Sequence, residues 1–169
     1  IYICATNLCD GSVVDYAQET KKIKLSHDFY QDIVASAKYI GKRYRYSKVH
    51  AQYITDLALE IFDKAKKFHG LTQRDRLILE ISAILHDIGK YVNLNDPGKN
   101  GYQLIMSTEI MGLSHREREE VANVVLYNTQ ELPDTDELDT VFWREEYLRI
   151  AKLSSILRLA NALDRGHKQ

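Results

Sequence analysis

The chain has 169 residues, of which 44% are hydrophobic and 28% charged, and its formal net charge is −1. This length suffices for one domain with its own hydrophobic core, and the composition is that of a globular protein. A charge so close to zero supplies no global positive field and argues against specific nucleic-acid binding. An apolar run of about 18 residues and a recognisable signal peptide are both missing, so we expect no membrane contact. The chain has only two prolines and eight glycines, and this low content favours helices over repeated turns.

The first residues differ from the rest of the chain. Residues 1–9 are apolar and β-leaning, they end at an Asp10–Gly11 turn, and they are too short to form a sheet alone. We therefore expect residues 1–24 to be a remnant of, or linker from, a preceding α/β domain, and residues 25–169 to form a helical domain. The chain opens on Ile1 rather than Met, and we expect it to be a piece of a longer protein.

From Ser26 the apolar residues recur with the period of an α-helix. The pattern predicts a first helix from Ser26 to about Tyr44 and a second that is capped by Ser47 and ends at Gly70. The residues expected to face inward are Phe29, Ile33, Ala37 and Ile40 on the first helix, and Ile54, Leu57, Ile61, Ala65 and Phe68 on the second.

Thr72 and Asp75 have the spacing of a capping box and predict a third helix that stops at Gly89. Its inward residues are Ile78, Ile81, Leu85 and Ile88. Residues 93–101 contain Pro97 and two glycines and are predicted to form a loop, followed by a short helix over 102–109.

Two more helices complete the predicted all-α fold. Ser114 and Glu117 form an S-x-x-E box that opens a helix to about Tyr127, and an acidic loop follows over 130–140. The final helix is predicted from about Trp143 to Arg165, with Gly166 as its C-cap. Its inward residues are Ala151, Leu153, Ile156, Leu157, Ala160 and Leu163.

Polar residues with metal-binding side chains fall on these apolar faces. His50 lies four residues before Ile54, Asp164 lies four residues after Ala160, and the pair His86–Asp87 is expected in the last turn of the third helix. A buried carboxylate is costly without a partner, and a divalent cation that accepts imidazole and carboxylate together offsets this cost. A lone inward histidine is usually a core residue, but the order H…HD…D on three helices favours a metal site.

The predicted ligands are His50, His86, Asp87 and Asp164. Ligand type alone leaves the divalent metal open between Mg, Mn and another transition metal such as Fe, Zn or Ni. Three cations beside these residues, Lys90, Arg158 and Arg165, are candidates for binding phosphate.

A basic cluster lies between the first two helices. It consists of Lys42, Arg43, Arg45 and Lys48, interleaved with Tyr44 and Tyr46. The cluster is either a surface that tracks a polyanion or a solvated turn, and the pattern alone does not decide.

The motifs together resemble one family. The sequence, which contains the motif HDIGKY (86–91), is similar over most of residues 26–166 to the C-terminal helical domain of the exopolyphosphatase / guanosine pentaphosphate phosphohydrolase (Ppx/GppA) family. The similar segments, in the family's order, are RYRYSKVHAQYITDLALEIFD (43–63), LILEISAILHDIGKYV (77–92), YQLIMSTEIMGLSHRERE (102–119) and LRLANALDR (157–165).

This resemblance implies an HD-domain-like helical bundle from a cytoplasmic, Mg-dependent enzyme that removes terminal phosphates from polyphosphate or guanosine pentaphosphate. It further implies that the main hydrolytic site lies in preceding actin-like domains of the same chain. The helical domain would then contribute to binding the polyanion and to the contacts of a homodimer.

Two departures from the family pattern bear on the chemistry. The loop NDPGKNG (95–101) has no histidine, and Asn128 stands where relatives often have one, so a second metal is in doubt. Two other functions therefore stay open: an independent metal-dependent HD nucleotide phosphohydrolase, and a non-catalytic dimerisation module.

Overall fold

The computed structural model describes residues 29–133 and 144–166, apart from the side chains of the last two. Within these ranges every regular element is helical, which confirms the predicted all-α class. The elements are α1 (Phe29–Arg43), α2 (Lys48–Lys64), α3 (Lys66–His69), α4 (Gln73–Leu85), a 3₁₀ turn (Ile88–Tyr91), α5 (Pro97–Met106), α6 (His115–Tyr127) and α7 (Arg144–Gly166). The expected N-terminal remnant, the Ser26 cap and most of the acidic loop lie outside the described residues.

The predicted inward face of α1 is largely confirmed, because Ile33, Ala37 and Ile40 are buried. Phe29 was wrongly placed in the core and is 51% exposed. It occupies the first position of the helix.

The second predicted helix is broken in two at Ala65, whose N–H bonds to the carbonyl of Ile61. Beyond the break His69 is the buried residue of α3, whereas Phe68 is 89% exposed, so its predicted inward position is wrong. The buried residues of α2 are Ala51, Ile54, Thr55, Ala58 and Phe62, whereas the predicted Leu57 and Ile61 lie at the edge of the core. The buried face of α2 differs from the predicted face because α2 packs on both α4 and α7.

Helix α4 is the centre of the fold and packs against α1, α2, α6 and α7. The four predicted inward positions are all buried, three of them on α4 and the fourth, Ile88, on the 3₁₀ turn that follows. The buried residues of α4 also include Leu77, Leu79 and Ile84. An apolar helix that is covered all round in this way is typical of the middle of a domain. The Thr72–Asp75 capping box is confirmed, with the Thr72 N–H 2.7 Å from Asp75 Oδ2.

Two boundaries differ from the prediction. α4 ends at Leu85 rather than Gly89, and the chain continues into the 3₁₀ turn. The predicted loop over 93–101 is helical from Pro97, because proline is well tolerated at the first helical position and Asp96 caps the helix through Lys99 N–H. These boundaries place His86 and Asp87 outside a regular helix.

Helices α6 and α7 complete the bundle. The Ser114–Glu117 capping box is confirmed, with the Ser114 N–H 2.8 Å from Glu117 Oε2. On α7 the predicted core is confirmed from Leu153 to Ala160, but Leu163 is 45% exposed. Leu163 precedes Asp164 by one residue, about 100° around the helix, and Asp164 is the residue that faces inward. None of the helices in the described part is long and apolar enough to cross a membrane.

Candidate metal centre

His50 enters the site from the first turn of α2. The hydroxyl of Ser47 caps this helix by accepting the backbone N–H of His50 at 3.5 Å, which confirms the predicted cap. The cap fixes where α2 begins, and hence where the His50 side chain leaves the backbone. The imidazole is partly buried.

His86 and Asp87 come from the end of α4. Because the helix ends at Leu85, carbonyl groups of its last turn lack an intrahelical partner. The ring of His86 uses one of them, with its Nδ1 atom 2.7 Å from the carbonyl oxygen of Ala83. This bond holds the buried His86 ring and turns its Nε2 atom toward His50.

The two imidazoles and the Asp87 carboxylate meet at one point. The Nε2 atoms of His50 and His86 lie 3.3 Å apart. Asp87 places Oδ1 at 3.4 Å from His86 Nε2 and Oδ2 at 3.6 Å from His50 Nε2. One ligand atom from each residue lies within 4.8 Å of the others. The fold thus brings together three of the four predicted ligands from two helix ends.

Asp164, the fourth predicted ligand, reaches the same site from the last turns of α7. Its Oδ2 atom lies 3.3 Å from Nδ1 of His50, the nitrogen on the far side of that ring from His86. The Asp164 side chain is only 13% exposed. The structure therefore confirms that Asp164 faces inward and places it beside His50.

The protonation states follow from these surroundings. Burial lowers the pKa of His86 below its ordinary value, against the opposing influence of Asp87. Burial on its own would raise the pKa of Asp87, but the charges of His86, Lys90 and His50 hold it below its ordinary value. Lys90 also donates a hydrogen bond to this carboxylate, with its Nζ atom 2.6 Å from Asp87 Oδ2.

The pattern of donors and acceptors fits a cation. A carbonyl oxygen can only accept, so Nδ1 of His86 carries its proton, and the carboxylate of Asp164 places the proton of His50 on Nδ1 in the same way. With these tautomers the Nε2 lone pairs of the two rings point toward each other and toward a carboxylate. Three acceptors this close are stable around a proton or a metal ion, and two imidazoles with one carboxylate suit a divalent transition metal.

Of the predicted phosphate-binding cations, Lys90 contacts this centre directly, through Asp87. Lys90 is half exposed and sits on the 3₁₀ turn, where Tyr91 packs edge-on against Tyr44 with ring centroids 5.7 Å apart. This contact brings the turn of Lys90 next to the basic loop between α1 and α2. Arg43, the last residue of α1, and Arg45, in that loop, are both exposed. The Arg43 guanidinium lies over the Tyr44 ring at 5.8 Å.

Arg158 and Arg165 stand differently. The guanidinium of Arg158 donates to the carbonyl oxygens of Tyr127 and Gln130, at 2.6 and 2.8 Å, and so caps the C-terminal end of α6. Arg165 lies in the last turn of α7, but its side chain is outside the described part of the structure. Asn128 accepts a hydrogen bond from Asn161 at 3.0 Å and links α6 to α7.

Sequence reasoning missed two features of the site. The carbonyl of Ala83 has no sequence signal, since it becomes available only because α4 ends at Leu85. The contact of Tyr44 with Tyr91 joins residues far apart in the chain. The interleaving of tyrosines with basic residues in the sequence does not indicate Tyr91 as the partner of Tyr44.

Fold and site together define the class: an all-helical domain that gathers an H…HD…D set of residues where the ends of its helices meet. The chain belongs to the Ppx/GppA phosphatase family, because the sequence model of the family's domain III, described as "Ppx/GppA phosphatase, domain III", matches residues 34–169. The match covers all the described helices except the start of α1. A search of curated proteins gives no match for the chain.

Proposed function

We propose that this chain is the metal-holding, polyanion-binding helical domain of an enzyme that hydrolyses terminal phosphoanhydride bonds of polyphosphate or guanosine pentaphosphate. The observation that carries the proposal is the convergence of His50, His86 and Asp87 beside the exposed basic loop. Membership of the Ppx/GppA phosphatase family supports the reaction class.

His50, His86 and Asp87 would hold one divalent metal through two Nε2 atoms and a carboxylate oxygen. Two nitrogen ligands favour Mn, Fe or another transition metal over Mg, which prefers an all-oxygen shell. A metal bound here supplies a positive charge that attracts phosphate oxygens and lowers the pKa of bound water. The residues around it act by binding: Lys90, Arg43 and Arg45 offer exposed cations to a chain of phosphates.

In this proposal the main hydrolytic site lies in preceding actin-like domains of the parent enzyme, which is cytoplasmic and works as a homodimer. The helical domain holds the part of the polyanion that extends beyond the reacting phosphate. A cationic surface with a metal at one end suits this task, since phosphate chains carry regularly spaced negative charges.

The decisive experiment measures the metal content of the purified chain beside that of Asp87→Ala. We expect near-stoichiometric metal in the native chain and loss of that metal in the variant. Asp56→Ala is the matched control, because Asp56 is an exposed carboxylate on α2 whose hydrogen bond is to Gln52. A native chain without metal would overturn the proposal.

Polyanion binding is tested separately by titrating the metal-loaded chain with a polyphosphate of defined length. We expect binding that weakens with salt and with loss of Arg43 or Lys90, and no release of phosphate by this chain alone. Binding unchanged in both variants would contradict the assignment of the basic loop.

One observation favours an independent HD nucleotide phosphohydrolase as the alternative. A centre with three protein ligands leaves coordination positions for water and substrate, as catalytic metal sites do. That alternative predicts metal-dependent release of phosphate from nucleotides, abolished in Asp87→Ala. A dimerisation module predicts neither metal nor turnover, but self-association in sedimentation experiments.

A further inference from the structure

Asp164 contacts the metal centre at His50. Its Oδ2 atom lies 3.3 Å from Nδ1 of His50, whereas the group that can share one ion consists of His50, His86 and Asp87. Nδ1 and Nε2 of an imidazole point in divergent directions in the plane of the ring. A carboxylate at Nδ1 is therefore turned away from an ion held at Nε2.

We infer that Asp164 is a positioning residue, which fixes the tautomer and orientation of His50 and does not itself bind the ion. The inference rests on the proposed metal-binding function of the site. A metal-binding histidine commonly donates its other N–H to a carboxylate or a backbone carbonyl, and such partners set the ring and raise its basicity as a ligand.

The two histidines of the site support this assignment by comparison. His86 has the carbonyl of Ala83 at its Nδ1, 2.7 Å away, and His50 has Asp164 at the equivalent nitrogen. Each ring therefore presents Nε2 to the centre and has an acceptor behind it. The acceptor of His86 comes from its own helix, but His50 lies in the first turn of α2 and receives its acceptor from α7.

The position of Asp164 also suits the backbone of α2. The first turn of α2 has no acidic residue of its own, and the N-terminal end of a helix carries a partial positive charge. A carboxylate held beside His50 is favourable there even before a metal binds. Asp164 thereby links the last turns of α7 to the start of α2 and keeps His50 in place.

The test uses the whole chain, Co²⁺ alone as the probe, and the variants Asp164→Asn and Asp164→Ala. The asparagine keeps a carbonyl oxygen that accepts the Nδ1 proton, so we expect Co²⁺ affinity within about threefold of the native chain. The alanine removes the acceptor, and we expect affinity to fall about 10- to 100-fold. The visible absorption spectrum of bound Co²⁺, which reports its ligand set, is expected to be the same in all three proteins.

A changed Co²⁺ spectrum in Asp164→Asn, with affinity as low as that of Asp87→Asn, would overturn the inference and make Asp164 a ligand. The second measurement needs no metal: imidazole ¹⁵N spectra of the chelator-treated chain report the tautomer of His50. We expect the Nδ1–H tautomer in the native chain and in Asp164→Asn, and a mixture in Asp164→Ala. A native His50 protonated on Nε2 would also overturn the inference.

The two measurements separate this inference from the proposed function. A native chain that binds no Co²⁺ contradicts the metal proposal, whereas the tautomer of His50 still decides the place of Asp164. Asp56→Ala again serves as the control that moves neither readout, and circular dichroism establishes that each variant is folded.

Discussion

Gly89 lies against Pro97 so closely that a Cβ atom at residue 89 would stand 1.9 Å from the carbonyl oxygen of Pro97. The neighbouring atom is backbone at the start of α5 and cannot rotate away. The glycine of the HDIGK segment is thus required for the close approach of α5 to the turn that follows His86 and Asp87. This contact ties the metal centre to the segment that the sequence indicated as a loop.

Gly89→Ala is therefore expected to destabilise the protein and to displace Asp87. Overpacking of this kind costs about 1–3 kcal/mol, and a backbone clash belongs at the upper end. Urea unfolding measures the cost, and metal titration measures the displacement. Gly70→Asn is the control, since nothing lies within 4 Å of its Cβ position and asparagine tolerates its φ of 65°. An alanine variant as stable as the native chain would contradict the close contact.

Stability is expected to fall below pH 6.5 through His86. Burial lowers the pKa of His86 from its ordinary 6.5, so the unfolded chain takes up a proton that the folded chain does not. The free energy of unfolding should decline as the pH falls from 6.5 toward the lowered pKa, by at most about 1.4 kcal/mol per pH unit. Asp87 acts in the same sense only below its ordinary value of 3.8, because its folded pKa is also lowered.

The measurement is urea unfolding with a chelator present, at several values between pH 7.5 and 5. His86→Asn keeps a donor for the Ala83 carbonyl and should flatten the dependence. His115→Asn changes an exposed histidine and should leave the slope as it is. An unchanged slope in His86→Asn would assign the effect to another group.

Lys90→Met distinguishes metal binding from phosphate binding at this site. The Nζ atom of Lys90 lies 2.6 Å from Asp87 Oδ2, where it competes with a metal for the carboxylate. Removing the ammonium should raise metal affinity several-fold and weaken the binding of inorganic phosphate to the metal-loaded chain. Calorimetric titration of Mn²⁺, then of phosphate, measures both. Lower metal affinity in the variant would mean that Lys90 supports the ion rather than competing with it.

Arg45→Gly distinguishes the effect of Arg45 on protein stability from its effect on polyphosphate binding. Arg45 has a φ of 52°, a left-handed conformation that is unfavourable for a residue with a Cβ atom. Arg45→Gly should raise the free energy of unfolding by about 0.5–1 kcal/mol while lowering polyphosphate affinity. Arg43→Met is the comparison, because it removes an exposed charge without this change in backbone. Equal polyphosphate affinity in native and glycine chains would exclude Arg45 from the binding surface.

The start of α6 depends on Glu117. The guanidinium of Arg74 and the Ser114 cap lower the pKa of Glu117 to about 2, so its stabilising contribution is present above about pH 4.5 and is lost as the pH falls toward 2. Arg74→Met should raise this pKa, which an NMR titration of the carboxyl measures. Ser114→Ala removes the cap and should lower the free energy of unfolding by about 1 kcal/mol. Lys64→Met, in an exposed pair with Glu60, should cost less than about 0.5 kcal/mol. A Glu117 pKa unaffected by Arg74→Met would contradict this pairing.

The sequence by itself determined what depends on neighbours along the chain. Helix starts at Ser47, Thr72 and Ser114 follow from side chains that bond to backbone within three residues, and helical periodicity marked the core of α4. The same periodicity predicted that His50 and Asp164 face the interior. The H…HD…D order then indicated a metal site, and the segments HDIGKY, GLSHRE and LRLANALDR indicated the family.

Only the tertiary structure decided which atoms meet. The break at Ala65 exposes Phe68, and the end of α4 at Leu85 frees the Ala83 carbonyl for His86. The placement of Asp164 at Nδ1 of His50 depends on how α7 packs against α2. A sequence pattern places a residue on a face of its helix, but the nitrogen that it presents to a partner depends on contacts between helices distant in the chain.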